Sequence, residues 1–153
     1  MAGPSIREQI IAQIVTLLAA SGAPAGLTIG RERVRPLETT ELPAVMVYFN
    51  DEKPKTLDNQ QYKAPITVRE LTIAAECRAV GSQSLSADAA LDPLIVWVTT
   101  QILGNESFQG LANGVEEGAT IWWSREGDVA IAAATINFII KYRTSRLDPT
   151  SRT

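Results

Sequence analysis

The clearest periodicity in the chain opens it. In IREQIIAQIVTLLAA, Ile6, Ile10, Ile14, Leu17 and Leu18 recur at helical spacing, and Ile11 and Val15 widen the stripe. Ser5 stands where an N-cap belongs, and Glu8 three residues on completes a capping box. The pattern breaks at Ser21-Gly22, and GAPAG makes a loop. A stripe this broad suits a helix lying flat on a sheet. A second helix is predicted within GSQSLSADAALDPLIVWVTTQILG (81–104), with Leu91, Leu94, Ile95, Val98 and Ile102 on its buried face and Gly104 at its end. Pro93 allows two starts: near Ser86 with a kink, or at Asp92 with proline in the first turn. Ala87 to Leu91 are good helix formers and favour the earlier one.

Other stretches alternate instead. RELTIAAECRAV (69–80) puts Leu71, Ile73, Ala75, Cys77 and Ala79 on one face and Glu70, Thr72, Glu76 and Arg78 on the other. LPAVMVYF (42–49) is apolar on both faces, so both should be covered, by helices, a second sheet or a neighbouring subunit. LTIGRERVRPL (27–37) reads as extended, with Arg31, Arg33 and Arg35 sharing a face and Pro36 marking an edge or strand end. The polar run NDEKPKTLDNQQYKAP (50–65) reads as a long functional loop. Residues 105–118 read as irregular, with a short helical turn around Phe108 to Leu111. ATIWWSREGDVAIAAATINFIIKYR then reads as a hairpin turning at Ser124 to Gly127, its second strand covering about 128–143. The polar tail TSRLDPTSRT (144–153) is expected to be mobile.

Strands in adjacent runs between two helices predict an α+β fold: a mainly antiparallel sheet with two amphipathic helices packed on one face. At 153 residues the chain fits a single domain, here residues 1–143, followed by the 144–153 tail.

Composition narrows the chemistry. The chain has no histidine, which removes the commonest general base and metal ligand. The single cysteine, Cys77, has no internal disulfide partner and lies on an apolar strand face, where it reads as a small buried hydrophobe in a reducing environment. No GxSxG, P-loop or GxGxxG is present. Asp51-Glu52 and Glu116-Glu117 are adjacent in sequence, and neighbouring side chains in extended chain diverge rather than oppose across a cleft. Solvated loop positions are their expected setting; no EF-hand-like spacing supports a Ca²⁺ or Mg²⁺ site. Neither catalytic residue, cofactor nor metal site is expected. A net charge of −3 argues against the whole molecule being an electrostatic nucleic-acid binder, and Glu32, Glu38 and Glu41 dilute the arginine stripe. No apolar run is long enough for a membrane span, and Arg7, Glu8 and Gln9 interrupt what would be a signal peptide, so a soluble, non-secreted protein is expected.

Trp122-Trp123 carries a different message. In a strand one indole faces the core and the other outward, where it is typical of an interface anchor; two core residues across a partly buried strand is the alternative. The expected contact residues are Arg31, Arg33, Arg35, Asp51, Glu52, Lys53, Lys55, Tyr62, Trp122 and Trp123.

Taken in order, the capped IREQIIAQIVTLLAA helix, RERVRPLETTELPAVMVYFNDEKP, the RELTIAAECRAVG strand, the SADAALDPLIVWVTTQIL helix and the closing INFIIKYRT strand resemble the tail terminator proteins of long-tailed bacteriophages, the minor tail protein U type. The resemblance spans roughly residues 5–143; LPAVMVYFNDE and the R-x-L strand after a polar loop carry most of it. It implies an α+β subunit of a homo-hexameric ring at the tail–neck junction of the virion, assembled in the host cytoplasm. Such a ring caps the tail tube protein, stops its polymerisation and presents a surface to the head connector or neck protein. Genomic DNA passes through the lumen without specific binding, and the family has neither enzymatic activity nor cofactor. Another head–tail joining subunit, and a small carboxylate-based enzyme or ligand-binding domain, are the rival readings. On the loop reading, replacing Asp51 and Glu52 with alanine should leave folding nearly intact and impair tail completion.

Overall fold

The computed structural model describes residues 3–20, 22–31, 37–57, 65–105, 107–125 and 129–153. The elements are α1 (Ile6–Leu18), β1 (Thr28–Arg31), β2 (Ala44–Leu57), β3 (Ile66–Val80), α2 (Ala87–Leu103), β4 (Gly114–Arg125) and β5 (Ile131–Ser145), with a 3₁₀ turn at Thr39–Glu41. The strands form one sheet in the order β1-β2-β3-β5-β4. β1 runs parallel to β2, and every other pairing is antiparallel. This is the α+β architecture expected from the order of elements.

The helices pack on one face because the alternation of the central strands aims their apolar side chains there. Leu71, Ile73, Ala75, Cys77 and Ala79 of β3 join Ala132, Ala134, Ile136, Phe138 and Ile140 of β5 in one core with Ile6, Ile10, Ile11, Ile14 and Leu18 of α1. From α2 come Ala87, Leu91, Leu94, Val98 and Ile102. Burying each large aliphatic side chain contributes about 1.5–3 kcal/mol, so this face carries most of the stabilisation. Ser5 caps α1, its hydroxyl accepting from the Glu8 amide at 3.3 Å. The Glu8 carboxylate does not complete the box; it pairs with Arg31. The second helix takes the earlier start: Ser86 accepts from the Ala89 amide at 3.3 Å, and Pro93 sits inside the helix. Gly81 lets that start approach β3, since a Cβ there would lie 2.9 Å from the Ala87 nitrogen.

Several boundaries differ from the expectation. Residues 50–57 are not loop: β2 continues to Leu57, paired with β3 from Thr72 to Ile66. Its polar composition reflects a strand whose second half is largely exposed, which removes the apolar alternation by which strands are read. β4 begins at Gly114, and Ser124 and Arg125 still pair with Ala132 and Ile131, so these two belong to the strand rather than to the expected turn; residues 126–127 of that turn lie outside the described residues. The expected helical turn at Phe108 to Leu111 is instead a left-handed turn, with Phe108, Gln109 and Gly110 at φ 43°, 60° and 86°. It drives the Phe108 ring into the core at 1% exposure, and that burial offsets the backbone strain. β5 runs to Ser145, beyond the expected end at 143. The following residues fold back: the Ser145 amide donates to the Ser151 carbonyl at 3.1 Å, and the Ile6 amide to the Pro149 carbonyl at 3.1 Å. The tail thus meets the N-terminus of α1.

Two bulges bend the sheet. In β2 one falls between Phe49 and Asp51, and in β4 one falls between Glu117 and Thr120. Asn137 of β5 links them. Its side-chain Oδ1 accepts from the Asn50 side-chain amide at 2.9 Å, and its own Nδ2 donates to the Ala119 carbonyl at 2.9 Å. Between Asn50 and Asn137 lies Ala74, whose small side chain leaves the path open. Gly118 leaves room beside it, since a Cβ there would lie a tight 3.1 Å from the Asn137 backbone oxygen.

Candidate protein–protein interface

β4 forms one edge of the sheet, and no described strand pairs with its outer side. On it Ile121, Trp122 and Trp123 are 62%, 60% and 38% exposed. Their positions follow from register: Trp122 lies across from Ala134 and Trp123 across from Ala133, so the two indoles take opposite faces. Trp123 lies on the face away from the helices, with the Arg78 guanidinium carbon 5.2 Å from its ring. Trp122 stands on the helix-bearing face beside a shallow hollow of about 280 Å³ walled by Asp88 and Leu91. Neither indole is a core residue, which overturns the alternative that placed both in the core and also the expectation that one of them faces it. The far half of β2 is built differently. It carries Lys53, Pro54 and Lys55, all exposed, the residue types that discourage a strand from adding to an edge. β4 carries neither lysine nor proline next to its indoles; Glu116, Glu117 and the bulge between Glu117 and Thr120 lie further along the strand.

Phe49 is 38% exposed at the β2 side of the sheet. A hollow of about 260 Å³ lies on one side of it, between Arg7, Asp51 and Leu71. Another of about 270 Å³ lies on the other, between Arg31, Val47 and Tyr48. The Arg31 guanidinium carbon sits 5.6 Å from the Phe49 ring centre, a cation–π contact, while its nitrogen pairs with Glu8.

Asp51 and Glu52 part company. Asp51 is exposed. Glu52 turns to the helix-bearing face, its side chain 14% exposed, where it accepts from Arg7 at 2.7 Å and Arg69 at 3.3 Å and from the Tyr142 hydroxyl. Arg69 also donates to the Thr144 hydroxyl at 3.2 Å. Burial and then the Glu52 hydrogen bond push the Tyr142 phenol above its ordinary range. The cluster ties α1, β2, β3 and β5 together, so Glu52 is a structural tie rather than the exposed loop acid expected. Lys53 and Lys55 are exposed and lie on β2 rather than on the expected loop; Arg33, Arg35 and Tyr62 lie outside the described residues.

The sequence reading missed Arg7, Phe49, Arg69, Ile121 and Tyr142. Arg69 and Tyr142 did leave a signal, since both fall on the apolar phase of their strands, where a polar group needs a partner. Cys77 is buried and its thiol is pushed up to about 12, first by burial and then by the Glu76 charge. Among the described residues no helix is long and apolar enough to cross a membrane, and no group of three Cys, Asp or Glu side chains is placed to hold a metal ion. No protein-family model matches the chain, and no curated protein matches it.

Proposed function

We propose that this chain is a structural subunit that works by assembly: a bacteriophage tail terminator, whose hexameric ring caps the tail tube, stops its growth and joins the tail to the head connector. One observation carries the assembly reading, the open β4 edge with its exposed Ile121, Trp122 and Trp123. Three adjacent exposed apolar side chains on an edge that no described strand covers invite pairing or burial by another polypeptide. Aromatic side chains of this kind dominate the energetics of protein interfaces. The specific role rests on the resemblance of the sequence. Its ordered segments correspond to α1, the β2–β3 hairpin, α2 and β5, the elements that build the sheet and its helical cover. A net charge of −3 suits a ring through which DNA slides, because like charge discourages adhesion to the wall.

The direct test is polymerisation of purified tail tube protein with and without the chain. Tubes should stop growing at a length set by the amount of chain added, and gold-labelled chain should mark one end only. Unchanged tube length with label absent from the ends would overturn the role.

A further inference from the structure

We infer that the subunits join edge to edge in a head-to-tail manner, with Trp122 of one copy seated against Phe49 and Arg31 of the next. This inference rests on the ring reading and gives it a contact. Trp122 and Phe49 belong to opposite sides of one sheet, β4 at one edge and β2 toward the other. Both stand on the helix-bearing face: Trp122 lies across from Ala134, and Phe49 across from Ile73, both core positions. Across the sheet Trp122 is level with Ile29 of β1 and Phe49 with Glu117, so a neighbour brought alongside in the same orientation and slid by about four residues presents Phe49, just beyond the end of β1, to Trp122 of the first. β2 and β4 also run in opposite directions, so the two edges meet antiparallel, the arrangement found within most of the sheet.

The chemistry matches as well as the placement. The hollows flanking Phe49, about 260 and 270 Å³, fall short of the ~300–1,000 Å³ typical of ligand pockets and suit a single side chain. Arg31 already covers one aromatic ring, and an arriving indole can stack on the guanidinium's other face, placing the cation between two π systems. An indole 60% exposed on an uncovered edge is the complementary half. Because the two halves differ and lie on one chain, a second copy satisfies both at once. Such a contact is heterologous, and it closes into a ring when the rotation permits.

Complementation tests this without knowledge of any other partner. Wild-type chain should associate in sedimentation velocity, and Trp122→Ser or Phe49→Ser should each weaken association by about thirtyfold or more. The two variants mixed should give a two-chain species and nothing larger, since one keeps the indole and the other keeps the hollow. The double variant should stay monomeric. Near-UV circular dichroism checks that each variant is folded; should Phe49→Ser fail, Arg31→Glu replaces it as the hollow variant. A Phe49→Ser chain that associates like wild type, a mixture that stays monomeric, or wild-type chain monomeric up to about 1 mM would each overturn the pairing. Complementation in a chain that does not arrest tube growth would leave the pairing standing and remove the tail role. Arrest by Phe49→Ser at wild-type potency would do the reverse.

Discussion

The carboxylate of Glu52 accepts from Arg7, Arg69 and Tyr142, so its removal leaves a poorly exposed guanidinium and a buried phenol without their acceptor. Glu52→Ala should cost about 2–3 kcal/mol in denaturant unfolding, whereas Asp51→Ala next to it should stay within about 0.5 kcal/mol. Equal effects would contradict the inward placement of Glu52. The bulge explains why sequence reading paired the two acids. Uninterrupted alternation from Val45, Val47 and Phe49 would send residue 51 to the helix-bearing face; the extra residue Asn50 sends Glu52 there instead. No periodicity argument reveals an inserted residue, so this half of the site was not legible. Cys77 gives a second residue-scale outcome. Its thiol rises in the folded chain from 9.0 to about 12, and the Tyr142 phenol rises from 10.0. Well below pH 9 both groups are protonated in both states, and the stability linked to them is fully present. From pH 9 upward the unfolded chain releases protons that the folded chain keeps, so stability should fall by about 1.4 kcal/mol per pH unit for Cys77 alone, and faster above pH 10. Cys77→Ala should flatten the fall between pH 9 and 10 in alkaline denaturation curves.

Elements differed in how plainly the sequence announced them. α1 and β3 have one covered face each, so their apolar residues recur at 3.6 and 2 and both were readable. The 50–57 part of β2 has few buried positions, and an exposed strand composed of Asp, Lys, Pro and Thr cannot be told from a loop by pattern. The turn at Phe108 was hidden for a different reason: a phenylalanine with positive φ is held by burial, a tertiary effect. Between elements, Asn137 is the side chain that couples the two bulges. Asn137→Ala would strand the Asn50 amide and the Ala119 carbonyl, and should cost about 1–2 kcal/mol. It should also speed hydrogen exchange at the β4 bulge more than in β3. Uniform exchange across both strands would show that the bulges hold without it.

On the scale of the whole molecule, five strands share one helix-covered core, and the chemistry that remains for partners lies at the two sides of the sheet. That Trp122 and Trp123 are not both buried was legible, because two adjacent indoles in a strand cannot both be covered by a single face. Arg31 was named as a candidate contact, but its pairing with Phe49 was not legible, since it arises where β1 and β2 bring separate segments together. If the two sides pair as proposed, the subunit is suited to a closed ring, and the tail terminator proposal gives such a ring its place. The central claim meets its most direct test in cryo-electron microscopy of tails carrying the chain. The account predicts a single six-fold ring of this subunit between the tail tube and the head connector, with β4 of each copy against the β2 side of the next. A twelve-fold ring at the portal, or tails closed without the subunit, would contradict it.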